Sequence, residues 1–304
     1  MNSILAVGSV AFDSIKTPSG EVSRVVGGSA AYFSIAASFF AHVRVVAIVG
    51  DDFGEEEMKV FSGRQIDLAG LQKMPGETFR WKGEYGFDLN NRETLYTHLN
   101  VFENFQPVIP RDYQGTPFVF LGNIHPSLQL EVLDQVSKPS LVAADTMNYW
   151  IERTPDELRT VLKRVNALII NDAELRQLSG ESNLVKAARL VKAMGPKLLV
   201  IKRGEHGVIM VRPNGFFAVP GIPLESVVDP TGAGDTFAGA FMGYLASHET
   251  VSDETLAQAV VAGSTLASFS VEDFSLDRLL RLTHEEVAAR LKEFKHLTQF
   301  EELE

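Results

Sequence analysis

Short apolar runs alternate with longer amphipathic stretches through the last two thirds of the chain. The runs are apolar throughout, which is typical of parallel strands covered on both faces. One helical stretch, 154–164, opens with Thr154, Pro155 and Glu157, which predict an N-cap, a first helical residue and a capping box. The alternation predicts an α/β fold with a doubly wound, mostly parallel central sheet flanked by helices. The predicted strands are 4–7, 118–121, 141–144, 167–170 and 198–202.

Two segments depart from this alternation of strands and helices. Residues 207–212 and 216–219, separated by Pro-Asn-Gly, predict a hairpin. In residues 78–100, aromatic and polar residues alternate, which predicts an antiparallel ribbon with one half-exposed face. The pattern alone leaves two interpretations open, an edge hairpin packed on the core or a lid over a ligand. After residue 235, the segments 236–247, 253–269 and 283–294 predict helices.

Composition and charge narrow the function classes. The chain has 304 residues and no cysteine, which excludes disulfides, cysteine nucleophiles and cysteine-ligated metal sites. With 28 Lys and Arg against 39 Asp and Glu, the net charge is −11, which argues against nucleic acid and anionic membrane as partners. The apolar stretch 30–41 is shorter than the roughly 20 residues that span a bilayer. We therefore expect a cytoplasmic protein.

The candidate chemistry lies in the segment Asp-Pro-Thr-Gly-Ala-Gly-Asp at 229–235, directly before an apolar helix. A glycine-rich turn that leads into a helix exposes backbone N–H groups, which bind anions. Asp235 falls in the first helical turn, where a carboxylate is also a common cap. Because a cap does not require Gly232 and Gly234 before it, we favour a general base beside a phosphate-binding turn. That arrangement suits phosphoryl transfer to a hydroxyl.

This segment lacks the Lys-Ser or Lys-Thr of a Walker A loop. Residues 228–241 instead resemble the C-terminal signature of the ribokinase-like sugar and nucleoside kinases, the PfkB family. Further resemblances follow in the family's order over almost the whole chain. They are 8–13 with Asp13, the paired Gly27 and Gly28 with Ser29, the Asn-x-x-Glu motif of Asn171 and Glu174, and 202–207 with Lys202, Gly204 and Gly207.

The resemblance implies catalytic and substrate-binding roles residue by residue. Asp235 would deprotonate the acceptor hydroxyl, and the amides of Gly232, Ala233 and Gly234 would form an anion hole for the transferring phosphoryl group. Asp13, expected in a turn after the first strand, would hold substrate hydroxyls at the carboxyl edge of the sheet. The other implied substrate-side residues are Gly27, Gly28 and Ser29.

The resemblance also implies a nucleotide side that takes ATP with Mg²⁺. Glu174 would hold hydrated magnesium through water, together with Asn171. The alternative for this pair is a helix N-cap with its capping-box partner. Asp229 allows a monovalent cation such as K⁺ near the anion site. The other implied nucleotide-side residues are Lys202, Gly204, Gly207 and Thr231, although a strand-ending lysine is also often only solvated.

The resemblance makes the chain a single kinase domain, 1–304, with lid segments at 14–24 and 77–105. Tyr32 stands where family members often carry the asparagine that binds a sugar, which argues against free ribose. Aromatic residues of the lid favour a nucleoside, because a base can stack on them. A free pentose or hexose is the alternative acceptor, and a non-catalytic sugar or nucleotide sensor is the alternative of another class. The expected partners are this small molecule and a second copy bound through the lid.

Overall fold

The computed structural model describes residues 2–299, which form two β-sheets with helices on both faces of the larger one. In chain order the strands are β1 (Ser3–Val7), β2 (Ala11–Thr17), β3 (Gly20–Gly27), β4 (His42–Val49), β5 (Ile66–Lys73), β6 (Phe79–Tyr85), β7 (Arg92–His98), β8 (Phe118–Leu121), β9 (Leu141–Asp145), β10 (Ala167–Asn171), β11 (Leu198–Lys202), β12 (Val208–Arg212) and β13 (Gly215–Val219). The helices are α1 (Ser29–Ala37), α2 (Glu55–Met58), α3 (Pro126–Gln135), α4 (Asn148–Arg153), α5 (Pro155–Leu162), α6 (Asp172–Ser179), α7 (Leu184–Lys192), α8 (Ala233–Ala246), α9 (Asp253–Ser270), α10 (Asp277–Arg281) and α11 (His284–Thr298).

The larger sheet has the strand order β13-β12-β11-β10-β9-β8-β1-β4-β5. The seven neighbouring strands β11, β10, β9, β8, β1, β4 and β5 pair in parallel. Strands β12 and β13 add an antiparallel hairpin at the β11 edge. Alternate residues of β1 enter different cores, Ile4 and Ala6 on one face and Leu5 and Val7 on the other. The predicted mostly parallel, doubly wound sheet is therefore confirmed.

Helices cover both faces of this sheet. Helices α1, α8, α9, α10 and α11 contribute to the first core, and α3 to α7 contribute to the second. Strand β1 lies between β8 and β4. The sheet is extended by β4 and β5 on one side of β1, and later in the chain by β8 and β9 on its other side. Ligands of open α/β sheets bind at the carboxyl edge beside such a switch point. None of the helices within residues 2–299 combines the length and apolar character that a membrane crossing requires.

The smaller sheet, called the lid sheet below, has the strand order β3-β2-β6-β7. Its strands lie within 11–27 and 79–98, compared with the lid segments expected at 14–24 and 77–105. Strands β6 and β7 form the antiparallel ribbon that the alternating pattern predicts. Strand β2 pairs in parallel with β6, which places Asp13 beside Trp81.

Three local predictions were wrong. Asp13 lies in β2 and not in a turn after β1, because the chain enters the lid sheet soon after β1 ends. Thr154 makes no side-chain cap for α5, since its hydroxyl donates to the Trp150 carbonyl at 3.2 Å, at the end of α4. Helix α8 begins at Ala233 and not at Thr236, because the left-handed residue Gly232 starts it earlier.

Candidate active site

The glycine-rich turn that is predicted to bind an anion, called the anion turn below, lies at the N-terminus of α8. Gly232 caps this helix at φ 74°, a left-handed conformation that favours glycine. A Cβ at Gly232 would also overlap the ring of Tyr32. The amide of Ala233 makes only a long bond, 3.3 Å, to the Pro230 carbonyl, and Asp235 lies in the first helical turn. The turn therefore presents first-turn amides and a carboxylate together.

The ring of Tyr32 packs against this turn. Tyr32 lies in the middle of α1, 1% exposed, with its ring against Gly232. Burial raises its pKa well above the ordinary value, and the charges of Asp13 and Asp229 add to that rise. The residue that departs from the family pattern therefore fills space under the anion turn, where a phenol remains neutral.

Charged side chains from neighbouring strand ends meet beside Asp235. Lys202, at the end of β11, lies 3.5 Å from an oxygen of Asp145, at the end of β9. Burial, and then the charge of Asp145, raise the pKa of Asp235 to about 7. The same two causes raise the pKa of Glu174 to about 7. Burial opposes the charge of Lys202, but the three carboxyl groups outweigh it and raise the lysine pKa.

Asn171 and Glu174 form the capping box that was one alternative for this pair. The Asn171 side chain accepts from the Glu174 amide at 2.7 Å, and the Glu174 carboxylate accepts from the Asn171 amide at 3.1 Å. Asn171 and Lys202 are paired in the β10–β11 ladder, so this cap lies at the same edge as Lys202. The second Glu174 oxygen has no part in the cap bond, so capping does not prevent a role toward a hydrated cation.

Asp13 lies across the cleft, on β2 of the lid sheet. It is 4% exposed, and a Cβ at Gly27 would overlap its carboxylate, so only glycine leaves room for it. Burial, and then the charge of Asp229, raise the pKa of Asp13 to about 7. Ser29 has a different environment, because its hydroxyl accepts from the Ser9 amide at 3.1 Å while its own amide donates to the Ser9 hydroxyl. Substrate contact by Ser29 stays a prediction.

Asp229 connects two loops behind the anion turn. Its side chain is buried and accepts the amide N–H of Thr231 at 2.8 Å and that of Ser275 at 2.9 Å. Burial raises the pKa of Asp229, and these bonds oppose the rise. Thr231 in turn donates its hydroxyl to Tyr85 of the lid at 3.1 Å, so the anion turn is tied to both the core and the lid.

The loop after β11, which the family resemblance assigns to the nucleotide, contacts the lid. Gly204 begins a short turn of 3₁₀ helix, and Gly207 follows it as the chain enters β12. A Cβ at Gly204 would overlap the side-chain oxygen of Asn90, in the turn between β6 and β7. The lid therefore contacts the loop after β11 as well as carrying Asp13.

The aromatic residues of the lid have several environments. Phe79 stacks on Phe102 with ring centres 5.3 Å apart, and Tyr96 stacks on His98 at 4.7 Å. Phe87 is fully exposed in the turn. Trp81 covers Gly83 and donates its ring N–H to Thr94 at 3.3 Å. Much of the aromatic pattern therefore packs within the protein.

The structure adds site residues that the sequence reasoning missed. Asp145 ends a buried strand at the same edge as Asn171 and Lys202, and this shared position was the available signal. Tyr85 and Arg92 enter from the lid, and only the pairing of β6 with β7 shows that they are neighbours. The sequence pattern alone does not show that Tyr85 and Arg92 are neighbours, because this depends on the pairing of β6 with β7.

Comparisons with known proteins identify the family of this chain. Residues 1–280 match the pfkB family of carbohydrate kinases. A cytidine kinase of Thermococcus kodakarensis is 31% identical over 249 residues, which cover 80% of this chain and 88% of that protein. The two chains are therefore similar over most of their lengths.

Solved structures share the fold at low identity. The nucleoside kinase of Methanocaldococcus jannaschii superimposes with a TM-score of 0.77 at 20% identity, over 96% of this chain and 99% of that one. Aminoimidazole riboside kinase of Salmonella enterica, solved with aminoimidazole riboside and an ATP analogue, gives 0.75 at 19%, over 95% and 100%. The family match and the shared fold agree, and the chain belongs to the pfkB family of carbohydrate kinases.

Proposed function

We propose that this kinase transfers the γ-phosphoryl group of ATP to a hydroxymethyl group of a nucleoside. The observation that carries the proposal is Asp235, a carboxylate in the first turn of α8 directly after the anion-binding turn. In the reaction, the acceptor oxygen forms a bond to the γ-phosphorus, and the bond from that phosphorus to the ADP oxygen breaks. The acceptor proton goes to Asp235, which has to be ionised beforehand.

The anion turn supports the assignment of the phosphoryl site. The amides of Gly232, Ala233 and Gly234 would donate to the phosphoryl oxygens, where negative charge has to be stabilised. Lys202 reaches the same place, since a Cβ at Gly234 would lie 2.8 Å from its ammonium nitrogen. Gly204 and Gly207 would let the loop after β11 approach the nucleotide closely.

Magnesium fits the nucleotide side of the cleft. Asp145 and Glu174 bring two carboxyl groups to one strand edge, and their mutual repulsion raises the pKa of Glu174 to about 7, after the effect of burial. A hydrated divalent cation would relieve this repulsion, and both carboxylates would hold it through water. When bound, magnesium neutralises charge on the phosphates of ATP.

The surroundings of Asp229 support a monovalent cation less directly than Asp145 and Glu174 support magnesium. Each of the two bonds that it accepts leaves lone pairs free on its carboxylate. A cation there would lie behind the anion turn and strengthen its positive potential. The bonds to Thr231 and Ser275 already neutralise part of this buried charge, so we propose a cation there as a modulator of activity and not as a requirement.

Asp13 and Trp81 support a nucleoside as the acceptor. Because these residues are paired in the β2–β6 ladder, their side chains leave the sheet on the same face. Asp13 would accept bonds from sugar hydroxyls, and Trp81 would add an apolar surface beside them for a base. The similarity to a cytidine kinase over most of both chains favours the same substrate class.

A screen of acceptors tests this proposal. Release of ADP would be measured with cytidine, uridine, adenosine, inosine, ribose and fructose, each with and without K⁺. We expect turnover with at least one nucleoside and a phosphorus NMR signal of a 5′-phosphomonoester. Turnover with free sugars alone would replace the nucleoside by a sugar. No ADP release with any acceptor would favour the sensor and overturn the proposal.

A further inference from the structure

The lid sheet brings a cation into the active site. Arg92 opens β7 and is paired with Tyr85 at the end of β6. Tyr85 is 7% exposed, and its hydroxyl accepts from Thr231 at 3.1 Å, so this end of the lid is fastened to the loop of the anion turn. The guanidinium carbon of Arg92 lies 5.4 Å from the centre of the Trp81 ring. Arg92 therefore sits over the cleft and not on the outer face of the lid.

Strand pairing places Arg92 on the cleft side of the lid. Arg92 is paired with Tyr85, and Asp13 is paired with Trp81, so these side chains leave the lid sheet on the same face. The charge of Arg92 also lowers the pKa of Asp13 on the acceptor side and of Asp235 at the anion turn, against the larger effects of burial and of neighbouring carboxylates. The other nearby cation, Lys202, is already paired with Asp145.

We propose that Arg92 is a catalytic residue supplied by the lid, and that it donates hydrogen bonds to the phosphoryl group during its transfer from ATP to the acceptor. This assignment rests on the proposed kinase function. A guanidinium suits the role because it is planar, always charged and able to donate two parallel bonds to one phosphoryl group. It takes up no proton, so the acceptor proton still goes to Asp235.

The contacts of the lid explain when Arg92 acts. The Tyr85–Thr231 bond fixes one end of the ribbon at the anion turn, and the contact of Asn90 with Gly204 fixes its turn on the nucleotide loop. Arg92 follows Asn90 by two residues in the chain and is paired with Tyr85 across the ribbon, so it lies close to both contacts. Closure of the lid on both sides of the cleft therefore delivers the guanidinium, and it also excludes water from the transfer.

Kinetics of Arg92→Ala test the assignment, with Lys82→Ala as the matched control. Lys82 belongs to the same sheet but is paired with Ser14 and binds Glu21, on the face away from Asp13. We expect kcat of Arg92→Ala to fall about 100-fold, as for loss of one donor to a developing charge, while both KM values change less than about threefold. Lys82→Ala should retain kcat within about twofold.

Chemical rescue separates a catalytic from a structural role. Guanidinium chloride at millimolar concentration should raise kcat of Arg92→Ala several-fold and leave Lys82→Ala unchanged, and Arg92→Lys should be intermediate. If Arg92→Ala does not fold, Arg92→Gln takes its place in the same comparison. Turnover close to that of Lys82→Ala, a loss confined to KM, or a loss without rescue would each overturn the assignment. A wild type that releases no ADP would instead refute the proposed function, and this assignment with it.

Discussion

Three carboxyl groups with raised pKa values define the site at the scale of residues. Asp13, Glu174 and Asp235 each have a pKa of about 7, and burial is the largest cause for each. Asp229 adds its charge to the effect on Asp13, and Asp145 to the effect on Glu174 and Asp235. Clusters of this kind are typical of functional sites, because a base near neutrality transfers protons efficiently.

The raised pKa of Asp235 predicts an acid limb in the pH profile of kcat/KM. Asp235 has to be ionised to act as a base, so kcat/KM should fall about tenfold per pH unit below about pH 7. Steady-state rates between pH 5.5 and 9 measure this limb. A rate that stays constant down to pH 5.5 would contradict the role of Asp235.

Unfolding does not explain such an acid limb. The folded pKa values of Asp13, Glu174 and Asp235 exceed their unfolded values, so the folded state binds more protons in this range. The contribution of these groups to stability is therefore present at low pH and is lost as pH rises through about 7. Circular dichroism at each pH provides the control, and it should show the folded protein throughout the limb.

Close packing of α1 against α8 positions the site at the scale of elements. A Cβ at Gly239 would overlap the Phe33 carbonyl oxygen, and one at Gly243 would lie 2.9 Å from the Ala37 carbonyl oxygen. These contacts fix how far α8 stands from α1, and the first turn of α8 carries Asp235 while α1 carries Tyr32. The distance between the two helices therefore sets the position of the anion turn.

Gly239→Ala should destabilise the protein by about 1–3 kcal/mol, because the added methyl group meets backbone and not a flexible side chain. Gly115→Ala is the control, since a Cβ at Gly115 meets no atom of the described chain within 4 Å. Chemical denaturation of both variants measures the difference. Equal stability of the two variants would show that α1 and α8 tolerate separation.

Local pattern predicts the elements of the large sheet better than those of the lid. The predicted strands 118–121 and 198–202 match β8 and β11, because fully buried parallel strands are continuous apolar runs. Asp13 was misplaced because β2 is held in the lid sheet both by its neighbour β3 and by β6, far along the chain, and the second pairing leaves no local pattern in the sequence. No sequence pattern marks Arg92, since its proposed role depends on the position of β7 beside β6 in the lid sheet.

Net charge and local charge differ at the scale of the whole molecule. The chain carries −11, yet its proposed ligand is an anion, ATP. The cleft compensates locally, through first-turn amides of α8, the ammonium of Lys202 and the guanidinium of Arg92. Binding of one small anion therefore needs no basic surface, and the overall charge remains unfavourable for nucleic acid.

The role of Asp235 is tested most directly by the turnover of Asp235→Asn, measured with the best acceptor of the screen. We expect kcat to fall roughly 100- to 10,000-fold, because the amide cannot take the acceptor proton. ATP affinity, measured by calorimetry, should change less than about threefold. Asp134→Asn, at an exposed position that pairs with Arg164, should behave as the wild type. Turnover of Asp235→Asn close to that of the wild type would contradict the assignment of Asp235 as the general base.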